Sequence, residues 1–176
     1  MPSDHGDRGA EGTAVPAEKK PHGVVVERLT HEDVPAICAL YKKVGDAQGP
    51  GLPSELVKAW QPAPLEFTSR MEGITYFAAR RDGRMVGAIG CQMQHNSCHL
   101  LDLAVDPDAR RQGVASALVA TALEWAKRSN APSVWVDTLA RFTAASALLK
   151  RHGFAESGLL HKHEWGEDIR LFERVL

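Results

Sequence analysis

The chain has 176 residues, enough for one domain, and its 44% hydrophobic content supports a buried core. Its 21 basic and 22 acidic residues nearly cancel, so no global field recruits nucleic acid or an acidic membrane surface. No apolar run is long enough to span a bilayer, the N-terminus lacks the hydrophobic stretch of an export signal, and three scattered cysteines make no disulfide framework, so a cytoplasmic location is expected.

Residues 1–22 carry no Leu, Ile or aromatic side chain and are rich in Gly, Pro and charge. They cannot bury enough apolar surface to offset the entropy of ordering, so a disordered tail is expected there, followed by one domain over residues 23–176. Val24-Val25-Val26 opens a strand that ends near Arg28. Thr30 and Asp33 then resemble a capping pair for a helix on which Val34, Ile37, Cys38, Tyr41 and Val44 share a face. From Gly45 to Pro64 glycines and prolines break the pattern, leaving short helical candidates at Ser54 to Trp60 and Leu65 to Met71. A strand from Thr75 to Arg81 meets Asp82-Gly83, a two-residue hairpin signal, and returns from Met85 to Met93. After a turn at Gln94 to Ser97 a further strand begins, so Val24 to Val105 reads as an antiparallel meander interrupted by helices.

The stretch from His99 to Arg128 carries the chemistry. Leu100 to Val105 suits a buried strand, Asp106-Pro107-Asp108 breaks it, and from Val114 apolar residues recur at helical spacing on two adjacent faces. So wide a stripe packs against a sheet. Between strand and helix lies Arg110-Arg111-Gln112-Gly113-Val114-Ala115-Ser116. Small residues at a helix start let an oxyanion approach backbone N–H groups that lack intrahelical acceptors, and the helix dipole favours negative charge there. Arg110 and Arg111 add charged donors, and a pyrophosphate is the natural guest. A capped helix that binds nothing is the plainer account; the strand before the turn and the striped helix after it favour the phosphate site. No Gly-Lys-Ser/Thr and no Gly-x-Gly-x-x-Gly occurs. Beyond Pro132, a strand from Ser133 to Asp137 is expected parallel to 99–105. A helix from Thr143 to Arg151 closes at Gly153, and residues 154–163 and 168–175 form a last hairpin.

Arg110-x-x-Gly113-x-Ala115, preceded by Leu103-Ala104-Val105-Asp106-Pro107, resembles the motif of the GCN5-related N-acetyltransferase (GNAT) superfamily, and the resemblance covers residues 23–176, including Gly153-Phe154 after the last helix. It implies an α/β (α+β) fold: a mixed, mostly antiparallel sheet of about seven strands, splayed at strands 4 and 5 and flanked by about four helices. It implies acetyl-CoA as acetyl donor, no metal, and a primary amine of a small molecule or protein as acceptor, attacking directly. Coenzyme A would be held by Leu103, Ala104, Val105, Arg110, Arg111, Gln112, Gly113, Val114, Ala115 and Ser116. The Leu103 N–H would stabilise the developing oxyanion and Val105 would bond pantetheine. The sequence leaves the oligomeric state open; homodimers built through late strands are frequent in the family that it resembles.

An acceptor amine with a pKa of about 10.4 must lose a proton before it attacks, and His99, with an ordinary pKa of about 6.5, is the candidate base. Strand alternation puts it on one face with Leu101, Leu103 and Val105, and sends Asp102 toward the other layer in a structural role. A core-edge histidine of no catalytic consequence is the competing account. Two departures from the family pattern stand out: Phe142 takes the place of an asparagine and Leu149 that of a tyrosine which usually protonates the leaving thiolate. Water, Ser146 or His152 would substitute, or the acid is dispensable. Asp106 and Asp108 are explained by turn hydrogen bonds. Cys91, His95, Cys98 and His99 do not read as a zinc site, because Cys98 and His99 face opposite sides. His161 and His163 fit an ordinary mixed surface. The alternative function is a catalytically weak acyl-CoA-binding or interaction module of the same fold.

Overall fold

The computed structural model describes residues 23–176; the tail expected over 1–22 lies outside the described residues. In chain order the elements are β1 (Val24–Arg28), α1 (Val34–Gln48), α2 (Ser54–Ala59), α3 (Pro64–Arg70), β2 (Thr75–Arg81), β3 (Arg84–Gln94), β4 (Ser97–Val105), α4 (Val114–Arg128), β5 (Ser133–Leu139), α5 (Thr143–Arg151), β6 (Ala155–Glu164) and β7 (Glu167–Val175). The strands form one sheet in the order β1-β2-β3-β4-β5-β7-β6, parallel only between β4 and β5. The meander, the parallel crossover and the terminal hairpin thus follow the pattern of the sequence. Among the described residues no helix is long and apolar enough to cross a membrane.

Local chemistry sets the element ends. The Thr30 amide donates to Asp33 Oδ2 at 3.0 Å, closing the capping pair that leads into α1. Burial raises the Asp33 carboxyl, but the Thr30 amide and Arg80 outweigh it and hold the group below the ordinary carboxylate value. α1 does not stop at Gly45, where the sequence reading broke it, but runs to Gln48. One helical glycine costs only about 1 kcal/mol, and Val34, Ile37, Leu40, Tyr41 and Val44 bury a continuous apolar face. Asp82 and Gly83 turn the β2–β3 hairpin with φ of 49° and 75°, the left-handed pair that matches strand twist.

Both faces of the sheet are covered. On one, Ile89, Leu100, Leu118, Val134, Leu148 and Phe172 pack beneath α4 and α5. On the other, Ile37, Tyr41, Phe67, Tyr76, Ala88 and Ala104 pack beneath α1 and α3, and a smaller group of Leu56, Leu139 and Ile169 lies under α2. α4 sits close to β3: a Cβ on Gly87 would meet Val114 Cγ1 at 2.9 Å and Leu118 Cδ1 at 3.0 Å.

Two irregularities prepare the site. β4 and β5 pair only from Cys98 to Leu100 against Val134 to Val136, and then part. In the β3–β4 ladder Ala88 faces Ala104 while Gly90 faces Leu101, so Asp102 and Leu103 share Ile89 as their opposite residue. Asp102 takes a left-handed φ of 54°. This is a β-bulge, and it resets the alternation of side chains along β4.

Candidate functional site

The turn opening α4 bends at two left-handed residues, Arg111 (φ 61°) and Gly113 (φ 78°), the second free of any Cβ conflict. The first helical hydrogen bond runs from Ala117 N to Gly113 O at 3.0 Å, so the amides of residues 113–116 precede any intrahelical acceptor. Arg111, Gln112 and Gly113 are exposed and Arg110 is half-buried. The Gln112 side chain donates to the Asp108 carbonyl at 3.1 Å and accepts from Arg81. Arg81 therefore brings a third guanidinium from β2 to the turn. The turn is braced from α1: Lys43 Nζ reaches Asp106 Oδ1 and Asp108 Oδ2, both at 2.7 Å, and Asp106 Oδ1 also accepts the Asp108 amide at 3.0 Å. Burial raises Asp106, but Lys43 and that amide overcome it and hold the carboxyl low. Ser116 Oγ lies 2.6 Å from His152 Nε2.

Where β4 and β5 part, a cavity of about 700 Å³ opens between the two helical layers. Leu103, Ala104, Val119, Val136 and Leu149 belong to its walls, as do Tyr41, His99, Asp102, Asp137 and Glu164. Val105 packs on the α4-side core, outside the cavity walls. The phosphate-type turn also lies outside these walls, on exposed surface where α4 begins.

The bulge corrects the expected faces. Cys98 and Leu100 belong to the core under α4, and past the bulge Leu103 and Val105 pack against that same core, while Ala104 joins the core under α1. His99 therefore does not share a face with Leu103 and Val105. It stacks on Trp135, with ring centroids 3.7 Å apart and 4° between planes, and its Nε2 lies 2.7 Å from Asp137 Oδ1. Its Nδ1 is buried without a hydrogen-bond partner. Asp102, expected to point away from the His99 side, is bound instead by the α1/α3 layer: Tyr76 OH donates to its Oδ2 at 2.7 Å and Tyr41 OH to its carbonyl at 2.9 Å. The His99 side chain is 12% exposed and that of Asp137 33%, so the carboxylate is the accessible end of the pair. Glu164 stands near it; burial first, and the Asp137 charge second, raise its carboxyl above the ordinary value.

A doubly bent turn with open amides at a helix start follows a bulged strand that parts from its parallel neighbour, and residues 39–154 match the acetyltransferase (GNAT) family. The chain belongs to that family. N-acetyltransferase 8 of Homo sapiens is 32% identical over 105 residues, 56% of this chain and 46% of the relative. The ribosomal protein bS18-alanine N-acetyltransferase of Escherichia coli strain K12 is 30% identical over 81 residues, 46% of this chain and 55% of the relative. The chain thus spans about half the length of the curated relatives it matches. Among solved structures, the ribosomal-protein-S18-alanine N-acetyltransferase of Escherichia coli superposes with a TM-score of 0.72 at 22% identity, covering 86% of this chain and 93% of that one. The PaiA N-acetyltransferase of Thermoplasma acidophilum, in complex with coenzyme A, gives 0.73 at 13% identity over 87% and 99%. These likenesses show the GNAT fold, and the five α-helices among the described residues agree with the expectation of about four around a seven-stranded mixed sheet.

Within the family frame, the places of the missing asparagine and tyrosine hold Phe142 and Leu149, both in the cavity wall. Neither substitute acid joins them there: Ser146 Oγ donates to the Phe142 carbonyl at 3.5 Å, and His152 sits with Ser116. Cys91 and Cys98 lie buried in the α4-side core, opposite His99, and no group of three His, Cys, Asp or Glu residues among the described residues is placed to hold a metal. His161 is exposed beside Asp168. Sequence reasoning missed Asp137, Glu164 and Arg81. Asp137 ended the predicted strand, and its pairing with His99 across the parallel register carried no short-range signal.

Proposed function

We propose that the protein moves an acetyl group from acetyl-CoA to a primary amine of a small molecule or protein. The observation that carries this reading is the run of amides at the doubly bent turn before α4, on the same strand–turn–helix unit as β4, which parts from β5 beyond Leu100. The diphosphate of coenzyme A sits on the amides of residues 111–116, with Arg110, Arg111 and Arg81 supplying positive charge, and pantetheine runs into the cleft along Leu103, Ala104 and Val105. The Leu103 N–H bonds the thioester oxygen and strengthens that bond as the oxygen becomes negative.

The acceptor ammonium first gives its proton to the Asp137–His99 pair, entering at the exposed carboxylate. The free amine then attacks the carbonyl carbon: a C–N bond forms, the C–S bond breaks, the sulfur leaves with the electron pair, and the second proton shed by the new amide nitrogen passes through water to that sulfur. A thiolate is a fair leaving group because a free thiol has a pKa of about 8.5, so water suffices as the proton donor where Leu149 has none to give. The second reading, an acyl-CoA-binding module with weak catalysis, rests on Leu149. A cytoplasmic site of action agrees with three free cysteines, and Leu159 and Leu160, exposed on the outer strand β6, support a homodimer.

The deciding experiment incubates the protein with acetyl-CoA and a panel of amines, including peptides with a free N-terminal alanine, while free thiol is followed. Amine-stimulated thiol release supports the transferase. Tight acetyl-CoA binding with no stimulation by any amine supports the module.

A further inference from the structure

We infer that Tyr41 is a positioning residue: by donating its hydroxyl to the Asp102 carbonyl it fixes the 102–103 peptide so that the Leu103 N–H faces the thioester oxygen. The inference rests on the acetyl-transfer reading above and adds to it a residue on a different element, 62 positions away in the chain from the amide that it orients.

The argument begins with planarity. No cis peptide occurs among the described residues, so the Asp102 C=O and the Leu103 N–H belong to one trans unit and point in opposite directions. Whatever holds the carbonyl also aims the amide. Tyr41 OH lies 2.9 Å from that carbonyl, which turns the carbonyl toward α1 and the N–H away from it. Leu103 and Asp102 both line the cleft. A bonded carbonyl also polarises its peptide, making the N–H on the far side a stronger donor.

The second strand of argument is conformational. A non-glycine residue at φ 54° persists only where its surroundings over-determine it. Asp102 is held at both ends: its carbonyl by Tyr41, its carboxylate by Tyr76 OH at 2.7 Å with Arg70 at 3.9 Å. Tyr41 is 6% exposed, in ring contact with Phe67, which in turn contacts Tyr76. The three rings form a packed row, so the hydroxyl has a fixed position. Burial, and secondarily the Asp102 charge, hold the Tyr41 hydroxyl well above the ordinary phenol range, so it remains a donor throughout the working pH range.

The test compares the wild type with Tyr41→Phe by amide NMR and by turnover. In the wild type the Leu103 amide resonance moves on adding acetyl-CoA and moves far less with coenzyme A, which has no thioester oxygen. In Tyr41→Phe that difference is lost, kcat falls about tenfold or more, a fraction of the 10²–10³ loss for deleting an oxyanion donor outright, and KM for acetyl-CoA stays within about twofold. If the wild-type Leu103 amide ignores the acetyl group, the site reading and this inference fall together. If the wild type responds and Tyr41→Phe responds and turns over equally, the site reading stands and the role of Tyr41 is overturned. Should Tyr41→Phe fail to fold, 3,5-difluorotyrosine at position 41 keeps the ring and strengthens the donor: a downfield shift of the free Leu103 amide supports the inference, and an unmoved resonance overturns it.

Discussion

At the scale of single residues, the site depends on positions whose backbone or proton inventory admits few substitutes. Gly113→Val puts a β-branched residue at φ 78°, where an ordinary residue is disfavoured by about 1–2 kcal/mol, and projects a side chain beside the amides. Acetyl-CoA affinity is expected to fall about 100-fold by calorimetry while the far-UV spectrum is kept; unchanged affinity would show that the turn is no phosphate cradle. His99→Ala removes the partner that Asp137 meets at 2.7 Å. Turnover is expected to fall about 10²-fold near neutrality, with the gap closing as pH rises toward the amine's own pKa of about 10.4, where the acceptor deprotonates unaided. A gap constant with pH would remove the pair from proton transfer. Of these positions, the turn was legible as a candidate because it is contiguous and the chemistry proposed for it uses backbone amides. Asp137 and Arg81 were not, because each reaches the site through a pairing of strands that no local pattern encodes.

At the scale of elements, the joints between sheet and helices can be tested independently of chemistry. Gly87→Ala drives a methyl into Val114, Leu118 and the Ala104 carbonyl, the last at 3.1 Å, and is expected to destabilise by about 1–3 kcal/mol, read as a lowered midpoint in urea. Asp33→Ala removes the carboxylate that closes the start of α1 and pairs with Arg80; a loss of about 1 kcal/mol is expected at neutral pH. The sign with pH follows from the lowered Asp33 value. Its stabilisation is present above the unfolded value of about 3.9 and vanishes as pH falls through the lower folded value, so wild type and variant should converge in strong acid. A difference that persists there would contradict the capping role. Elements were mostly read well from periodicity and turn chemistry. The face of His99 was not, because alternation assumes one residue per pleat, and the left-handed Asp102 inserts an extra one. An aspartate inside an apolar strand is the signal that was present and read only as a side chain pointing elsewhere.

At the scale of the molecule, the fold follows from a local meander, one parallel crossover and a terminal hairpin, all of which leave marks in sequence. The splay that makes the cleft leaves none in periodicity, where β4 and β5 read as ordinary strands; it was expected through the family resemblance alone, and the ladder ends at Leu100 and Val136. Ligand binding should couple to stability there, because a ligand bridging β4 and the start of α4 binds only the folded chain. The most direct measurement is calorimetry of coenzyme A against pantetheine, which shares the thiol arm and lacks the diphosphate. Coenzyme A is expected to bind at least about 100-fold more tightly, as several charge-assisted bonds of roughly 1.5–3 kcal/mol each allow, and to raise the melting temperature, while pantetheine does neither. Equal affinities, or no heat from coenzyme A at millimolar concentration, would contradict the assignment of the amides at 111–116 as the diphosphate site.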